Sequence, residues 1–306
     1  MSQTLGLLGV PSSAGAFAPG QEQAPQAMRQ MGLVAALRAA GAAVVDHGDS
    51  PIWRWRPDQT QPTAQNLAVV AEQARTTAAR VREIVRIGQI PVVLGGDCTI
   101  ELGVVAGHLQ TQDRLALLYF DLHPDLNVPA SVLEGALDWM GVAHLLAIEG
   151  AADALTRMGP RFPLLGDDDL LLFAYGPEQS TSWEREIIER RGLSGIPVAE
   201  VRAAPEAAAA AALAQIASRC DRLLVHFDVD VIDFTDAPLS ENTGRNQGLS
   251  FAEAFAALRV LLASDRLATL TITELNPDHG AEDGSTLARF VAALVDALAG
   301  SVGVDR

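Results

Sequence analysis

Two apolar runs, Leu115-Ala116-Leu117-Leu118-Tyr119-Phe120 and Leu223-Leu224-Val225-His226-Phe227, each end in alternating acidic side chains, and this pairing constrains the fold more than any other feature of the chain. The first run passes into Asp121-Leu122-His123-Pro124-Asp125, the second into Asp228-Val229-Asp230-Val231-Ile232-Asp233. On an extended backbone alternate side chains share a face, so Asp121, His123 and Asp125 point one way and form a comb of ligand-type groups. Runs that are apolar throughout are buried on both faces, as strands of a parallel sheet are. The two combs are therefore expected at the ends of two core strands, placed to meet.

The rest of the chain repeats the strand-then-helix pattern. Short runs at residues 4–10, 43–46, 91–94, 170–174, 196–199 and 267–273, apolar or alternating apolar with threonine, read as further strands. Helical spacing covers residues 24–40, with Gly41 as a C-cap, and residues 65–87, 99–109, 183–190 and 285–298. Residues 205–218 are nearly all alanine, a strong helix by propensity, and Ser250 with Glu253 gives a capping-box start to a helix reaching about Leu262. The loop and helix start at 128–146 has Glu134, Asp138 and His144 as polar landmarks, and Trp53-Arg54-Trp55-Arg56 reads as a surface loop or a subunit contact. The sum is an α/β fold with a mostly parallel sheet of about eight strands, covered by helices on both faces. No low-complexity linker divides it, so residues 1–306 are expected to form one domain. Ligands of such sheets bind beyond the carboxyl ends of the strands. Both combs, the turn Gly95-Gly96-Asp97-Cys98 and Glu274 all fall there, and the two glycines permit close backbone approach or a positive φ.

Charge and cysteine content narrow the function classes. A net charge of -16 excludes the basic surface that nucleic acid or an anionic membrane requires, and it favours a cationic small-molecule substrate. The two cysteines, Cys98 and Cys220, sit in no paired motif, which suits a reducing cytosol. Met1-Ser2-Gln3 carries no basic region of a secretory signal, and no apolar run is long enough to span a bilayer, so a cytoplasmic protein is expected.

Taken alone, either comb also describes a solvated turn. Four carboxylates and an imidazole converging on one rim, however, repel unless a divalent cation neutralises them. Oxygen donors with some imidazole suit Mn²⁺ or Mg²⁺, and Zn²⁺ less selectively. Two combs suggest two ions about 3.5–4 Å apart, the arrangement of a hydrolase.

Gly95-Gly96-Asp97-Cys98, Asp121-Leu122-His123-Pro124-Asp125 and Phe227-Asp228-Val229-Asp230-Val231-Ile232-Asp233 together resemble the three hallmark motifs of the arginase/agmatinase (ureohydrolase) family. The likeness runs from Gly9-Val10-Pro11 to Glu274-Leu275-Asn276-Pro277, almost the full chain. The resemblance implies a three-layer α/β/α fold, a binuclear Mn²⁺ centre, hydrolysis of a guanidino or related amidino C–N bond, and a homo-oligomer. Carried over by position, Asp121 and Asp228 would bridge the ions, Asp125 would complete the first site, and His123 with Asp230 the second. Glu274 would hold the planar guanidino group, Asn127 would contact the amino-acid end of the substrate, and Asp233 would support the ligands from outside.

The chain departs from that pattern at several positions. Cys98 stands where the family has the first-site histidine; either the first ion is weakly held or the thiol is only nearby. A similar replacement marks the branch resembling Nω-hydroxy-L-arginine amidinohydrolases, which release hydroxyurea and ornithine, and this directs the substrate expectation there. Asp138-Trp139 aligns with the family's acid/base His-Gly, so Asp138 is the candidate proton shuttle. Glu134 replaces a serine used for the α-carboxylate, which makes ordinary arginase activity harder and a cationic substrate end, as in agmatine, easier. Arg245 is the alternative partner for a carboxylate. A non-catalytic metal-binding homologue is the competing expectation, and formimidoylglutamase-type activity a further one.

Overall fold

In the computed structural model, which describes residues 3–110 and 114–302, the apolar runs form strands whose side chains are sealed from water on both faces. The strands are β1 (Leu5–Gly9), β2 (Val44–Asp49), β3 (Ile90–Leu94), β4 (Leu115–Phe120), β5 (Leu170–Tyr175), β6 (Gly195–Pro197), β7 (Arg222–Asp228) and β8 (Leu267–Thr273). They make one eight-stranded sheet in the order β2-β1-β3-β8-β7-β4-β5-β6. Every neighbouring pair is parallel. Parallel neighbours need crossovers, and helices supply them.

Alternation along each strand divides the core into two layers. Ala116, Leu118 and Phe120 of β4 join Val225 and Phe227 of β7 in one layer, under the helices Ala24–Gln30, Leu33–Ala39, Pro205–Ile216, Phe251–Leu262 and Ser285–Val302. Leu115, Leu117 and Tyr119 of β4 join Leu224 of β7 in the other, under Leu67–Arg86, Ile100–Leu109, Gly141–Leu145 and Ser182–Arg191. The result is the expected three-layer α/β/α architecture. Among the described residues no helix is long and apolar enough to cross a membrane.

Two local expectations are corrected. The helix expected over residues 24–40 is two helices, because Gly32 adopts φ 88° and opens the chain after Met31. The strand expected over 196–199 stops at Pro197, and Val198 starts the helix Val198–Ala203. The capping box forms as read: Ser250 Oγ accepts the N–H of Glu253 at 3.3 Å, and the Glu253 carboxylate accepts the N–H of Ser250 at 2.7 Å.

Strands β3, β8, β7 and β4 are consecutive neighbours, so their carboxyl ends lie side by side. Those ends deliver Cys98, Glu274, Asp228 and Asp121 to one rim.

Candidate metal centre

The turn after β3 is set by backbone contact. A Cβ on Gly96 would lie 1.9 Å from the carbonyl oxygen of Ser12, so only glycine lets the turn pass the loop after β1. Asp97 staples the two loops: its Oδ2 accepts Ser12 Oγ at 3.0 Å and the N–H of Gly15 at 3.1 Å, while Oδ1 accepts the N–H of Thr99 at 3.0 Å. Cys98 follows, 2% exposed, with its thiol donating to Asp228 Oδ2 at 2.8 Å. Burial, and then the charge of Asp228, pushes that thiol well above its usual range.

At the end of β4, Asp121 Oδ1 accepts the N–H of His123 at 2.6 Å. Its other oxygen is buried and accepts no hydrogen bond among the described residues, and the same is true of Asp230 Oδ1. His123 Nδ1 lies 2.9 Å from Asp230 Oδ2 and Nε2 lies 3.2 Å from Asn242 Nδ2. Burial raises Asp121 to about 6, with Asp230 adding to it. Burial opposes charge on His123, but the negative fields and hydrogen bonds of Asp230 and Asp121 together outweigh it and hold the imidazole well above its usual pKa.

Beyond β7, Asp228 Oδ1 accepts the N–H of Asp230 at 2.7 Å, which fixes the second comb. Asp233 lies apart from it, with Oδ2 accepting the N–H of Gln247 at 2.7 Å and anchoring the following loop. Two donor groups result. Cys98, Asp121, His226 and Asp228 each offer an atom within 4.8 Å of the others, and Asp121, His123 and Asp230 do likewise. Unpaired buried carboxylate oxygens flanked by an imidazole fit a divalent cation, and the second group has the hard donors that suit Mn²⁺.

Asp125 stands beside these groups. Its Oδ2 accepts the Tyr119 hydroxyl at 2.5 Å, and its backbone is left-handed at φ 48°. Glu274 is also left-handed, at φ 59°; such backbone costs about 1–3 kcal/mol and persists where surrounding bonds enforce it. Here the N–H of Glu274 donates to Gly96 O at 2.9 Å, and its Oε2 accepts Gln21 Nε2 at 3.0 Å. Burial, then Asp138, raises the Glu274 carboxyl well above its usual range. Asp138 is itself raised by burial and then Asp97, and its N–H is tied to Gly15 O at 3.1 Å.

A cavity of about 530 Å³ joins them. Nine of the eleven residues singled out from sequence line it: Cys98, Asp121, His123, Asp125, Asn127, Asp138, Asp228, Asp230 and Glu274. Glu134 and Arg245 do not. Glu134 is exposed and accepts the N–H of Leu133, and the exposed Arg245 lies over the Phe234 ring at 5.4 Å. His144, the third polar landmark of the segment 128–146, is buried, with Nδ1 2.6 Å from Met140 O. Asn127 Oδ1 accepts the hydroxyls of Thr181, at 3.0 Å, and Ser131, at 3.1 Å. Eight carboxylates line the cavity, and no arginine or lysine among the described residues does.

Sequence reasoning missed His226, which was counted within the apolar run of β7. The signal was available: His226, Asp228 and Asp230 alternate, so the second comb begins one step earlier on the strand.

The chain matches the model of the arginase family over residues 3–300. It is 29% identical over 303 residues to an arginase of Brevibacillus brevis, covering 98% of this chain and 99% of that one. It is 30% identical over 318 residues to an arginase of Agrobacterium fabrum, covering 99% of this chain and 93% of that one. The native structure of arginase from Bacillus caldovelox is similar at a TM-score of 0.85 and 25% identity, covering 100% of this chain and 99% of that one.

Proposed function

This chain belongs to the arginase family, and from that premise we propose that it is a metal-dependent hydrolase of a guanidino C–N bond, working as one domain over residues 1–306. The observation that carries the reading is the meeting of both combs with Glu274 in one acidic cavity. Cys98, Asp121, Asp125 and Asp228 would hold the first of two divalent ions, and His123 and Asp230, together with Asp121 and Asp228, would hold the second, whose donors suit Mn²⁺. When bound, the ions supply Lewis-acid chemistry that readies water for attack at neutral pH.

The chain's own residues do the rest. Glu274 offers two carboxylate oxygens to paired N–H groups, which fixes the guanidino plane. Buried carboxylates all round replace the solvation that a cationic group loses on entry. Asp138, whose carboxyl is raised well above its usual range by burial and then by Asp97, is the group assigned to give a proton to the leaving nitrogen as the C–N bond breaks. Asn127, with Thr181 beside it, meets the far end of the substrate.

The leading substrate is Nω-hydroxy-L-arginine, cleaved to hydroxyurea and ornithine. The reading rests on Cys98: a less basic N-hydroxyguanidine, with one more oxygen to contact, demands less of a centre containing a thiol. A second reading, an agmatine-type substrate with a cationic rather than a carboxylate end, is favoured by the acidic lining and by the position of Arg245 outside the cavity. The test is to incubate metal-loaded protein with hydroxyarginine, arginine, agmatine and formimidoylglutamate. Turnover of hydroxyarginine above the others supports the first reading, agmatine above the others the second, and silence on all four sinks both. A homo-oligomer in the cytoplasm is part of the same proposal.

A further inference from the structure

We infer that the deeper donor group is a mixed thiolate–imidazole site for a borderline-soft divalent ion of the zinc class, built from Cys98, His226, Asp121 and Asp228 and oriented by Glu101. The inference deepens the metal-dependent reading above and rests on it.

His226 carries the argument. It is 0% exposed and points from β7 to the same face as Asp228. Its ring stacks on Tyr119, with centroids 4.1 Å apart and planes at 11°, which fixes the ring plane. Its Nδ1 lies 3.2 Å from Glu101 Oε2, a carboxylate on the helix Ile100–Leu109 that is itself buried. A carboxylate on one ring nitrogen keeps the proton there, so the lone pair lies on Nε2. Nε2 faces Thr273 Oγ1 at 3.1 Å and Cys98 Sγ at 3.6 Å. Metal-bound imidazoles have this backing, with the far nitrogen held by a carboxylate.

The separation of Cys98 Sγ and His226 Nε2 agrees with their donor types. Bonds of about 2.3 Å to sulfur and about 2.0–2.1 Å to nitrogen, at a tetrahedral angle, separate the two atoms by about 3.6 Å. Asp121 contributes a buried oxygen that accepts no hydrogen bond among the described residues, and Asp228 completes a four-donor set. Binding would convert the Cys98 S–H, now donated to Asp228, into a metal thiolate and release that proton to water. Thiolate with imidazole selects Zn²⁺ over Mn²⁺, whereas the shallower group of Asp121, His123 and Asp230 lacks sulfur and suits Mn²⁺. His226 thus supplies from β7 the imidazole that the turn after β3, carrying Cys98, does not.

The experiment uses the full chain, stripped with a chelator and titrated with Co²⁺ as a spectroscopic probe. The expected result is a near-ultraviolet thiolate-to-cobalt charge-transfer band, absent in Cys98→Ser. Cobalt affinity at that site falls about tenfold or more in His226→Gln and about 10- to 100-fold in Glu101→Gln. Dialysis of the unaltered chain against equal Zn²⁺ and Mn²⁺, followed by metal counting, should leave zinc in one site and manganese in the other. Cobalt uptake without the band, or unchanged affinity in folded His226→Gln, overturns this inference and leaves the metal-dependent reading standing. No uptake of any divalent ion overturns both. The band and the zinc count are read on the unaltered chain, so a variant that fails to fold does not remove the test.

Discussion

Glu274 accepts the backbone N–H of Cys98 through Oε1 at 2.9 Å, joining the end of β8 to the turn after β3. The bond aims the carboxylate into the cavity and leaves its further lone pairs for a substrate. Glu274→Gln keeps an oxygen for Cys98 but loses the charge. A hydrogen bond to a charged group contributes about 1.5–3 kcal/mol, so kcat/KM on the preferred guanidino substrate should fall about 10- to 150-fold with the metal count unchanged. Activity within threefold of the unaltered protein would contradict the assigned role.

Buried His144 sets a separate pH dependence, because burial lowers its pKa from 6.5 to about 4. The folded state resists the proton that the unfolded chain accepts. Stability from this group is therefore fully present above pH 6.5 and is lost as pH falls towards 4, by about 3 kcal/mol in all. In His144→Leu that loss should vanish. Urea midpoints of the two proteins at pH 7 and pH 4.5 give the comparison, and other groups cancel in the difference.

Metal removal should act with the opposite slope. Asp121, raised to about 6 by burial and then Asp230, favours folding fully below pH 3.8, and that advantage disappears as pH rises through 6. At neutral pH the stripped chain carries the repulsion of its carboxylates, and an ion at a hundred times its Kd adds about 2.7 kcal/mol. Melting curves with and without chelator should separate by several degrees at pH 8 and much less at pH 5.

The turn after β3 is the least forgiving backbone in the site. Gly96→Ala places a methyl group against the Ser12 carbonyl and N–H, which are backbone atoms and cannot rotate away. A destabilisation of about 1–3 kcal/mol is expected, with loss of cobalt binding by Cys98. Denaturant unfolding and the charge-transfer band report the two effects separately.

The sheet was legible because a strand buried on both faces is written as a largely apolar run, and β4 and residues 223–227 of β7 are such runs. The break at Gly32 was not, since helical spacing continues across it and the left-handed turn costs glycine nothing. In the site, alternation exposed both combs, but the same alternation hid His226, whose ring reads as strand filler until Glu101 is seen behind it. Glu134 and Arg245 lie on loops, where no periodicity says which way the chain turns, and both turn outward.

Strand order has a consequence for biosynthesis. The metal donors hang from β3, β7 and β4, and β8 lies between β3 and β7 in the sheet, with neighbours about 4.8 Å apart, although β8 is made long after β3, with which it pairs Val92 to Leu270. A nascent chain on the ribosome holds Asp121 and His123 long before β7 and β8 are made. An ion met at that stage finds only part of its coordination sphere. Loading therefore waits on the last strand, and the finished sheet, rather than any single loop, decides which metal is kept.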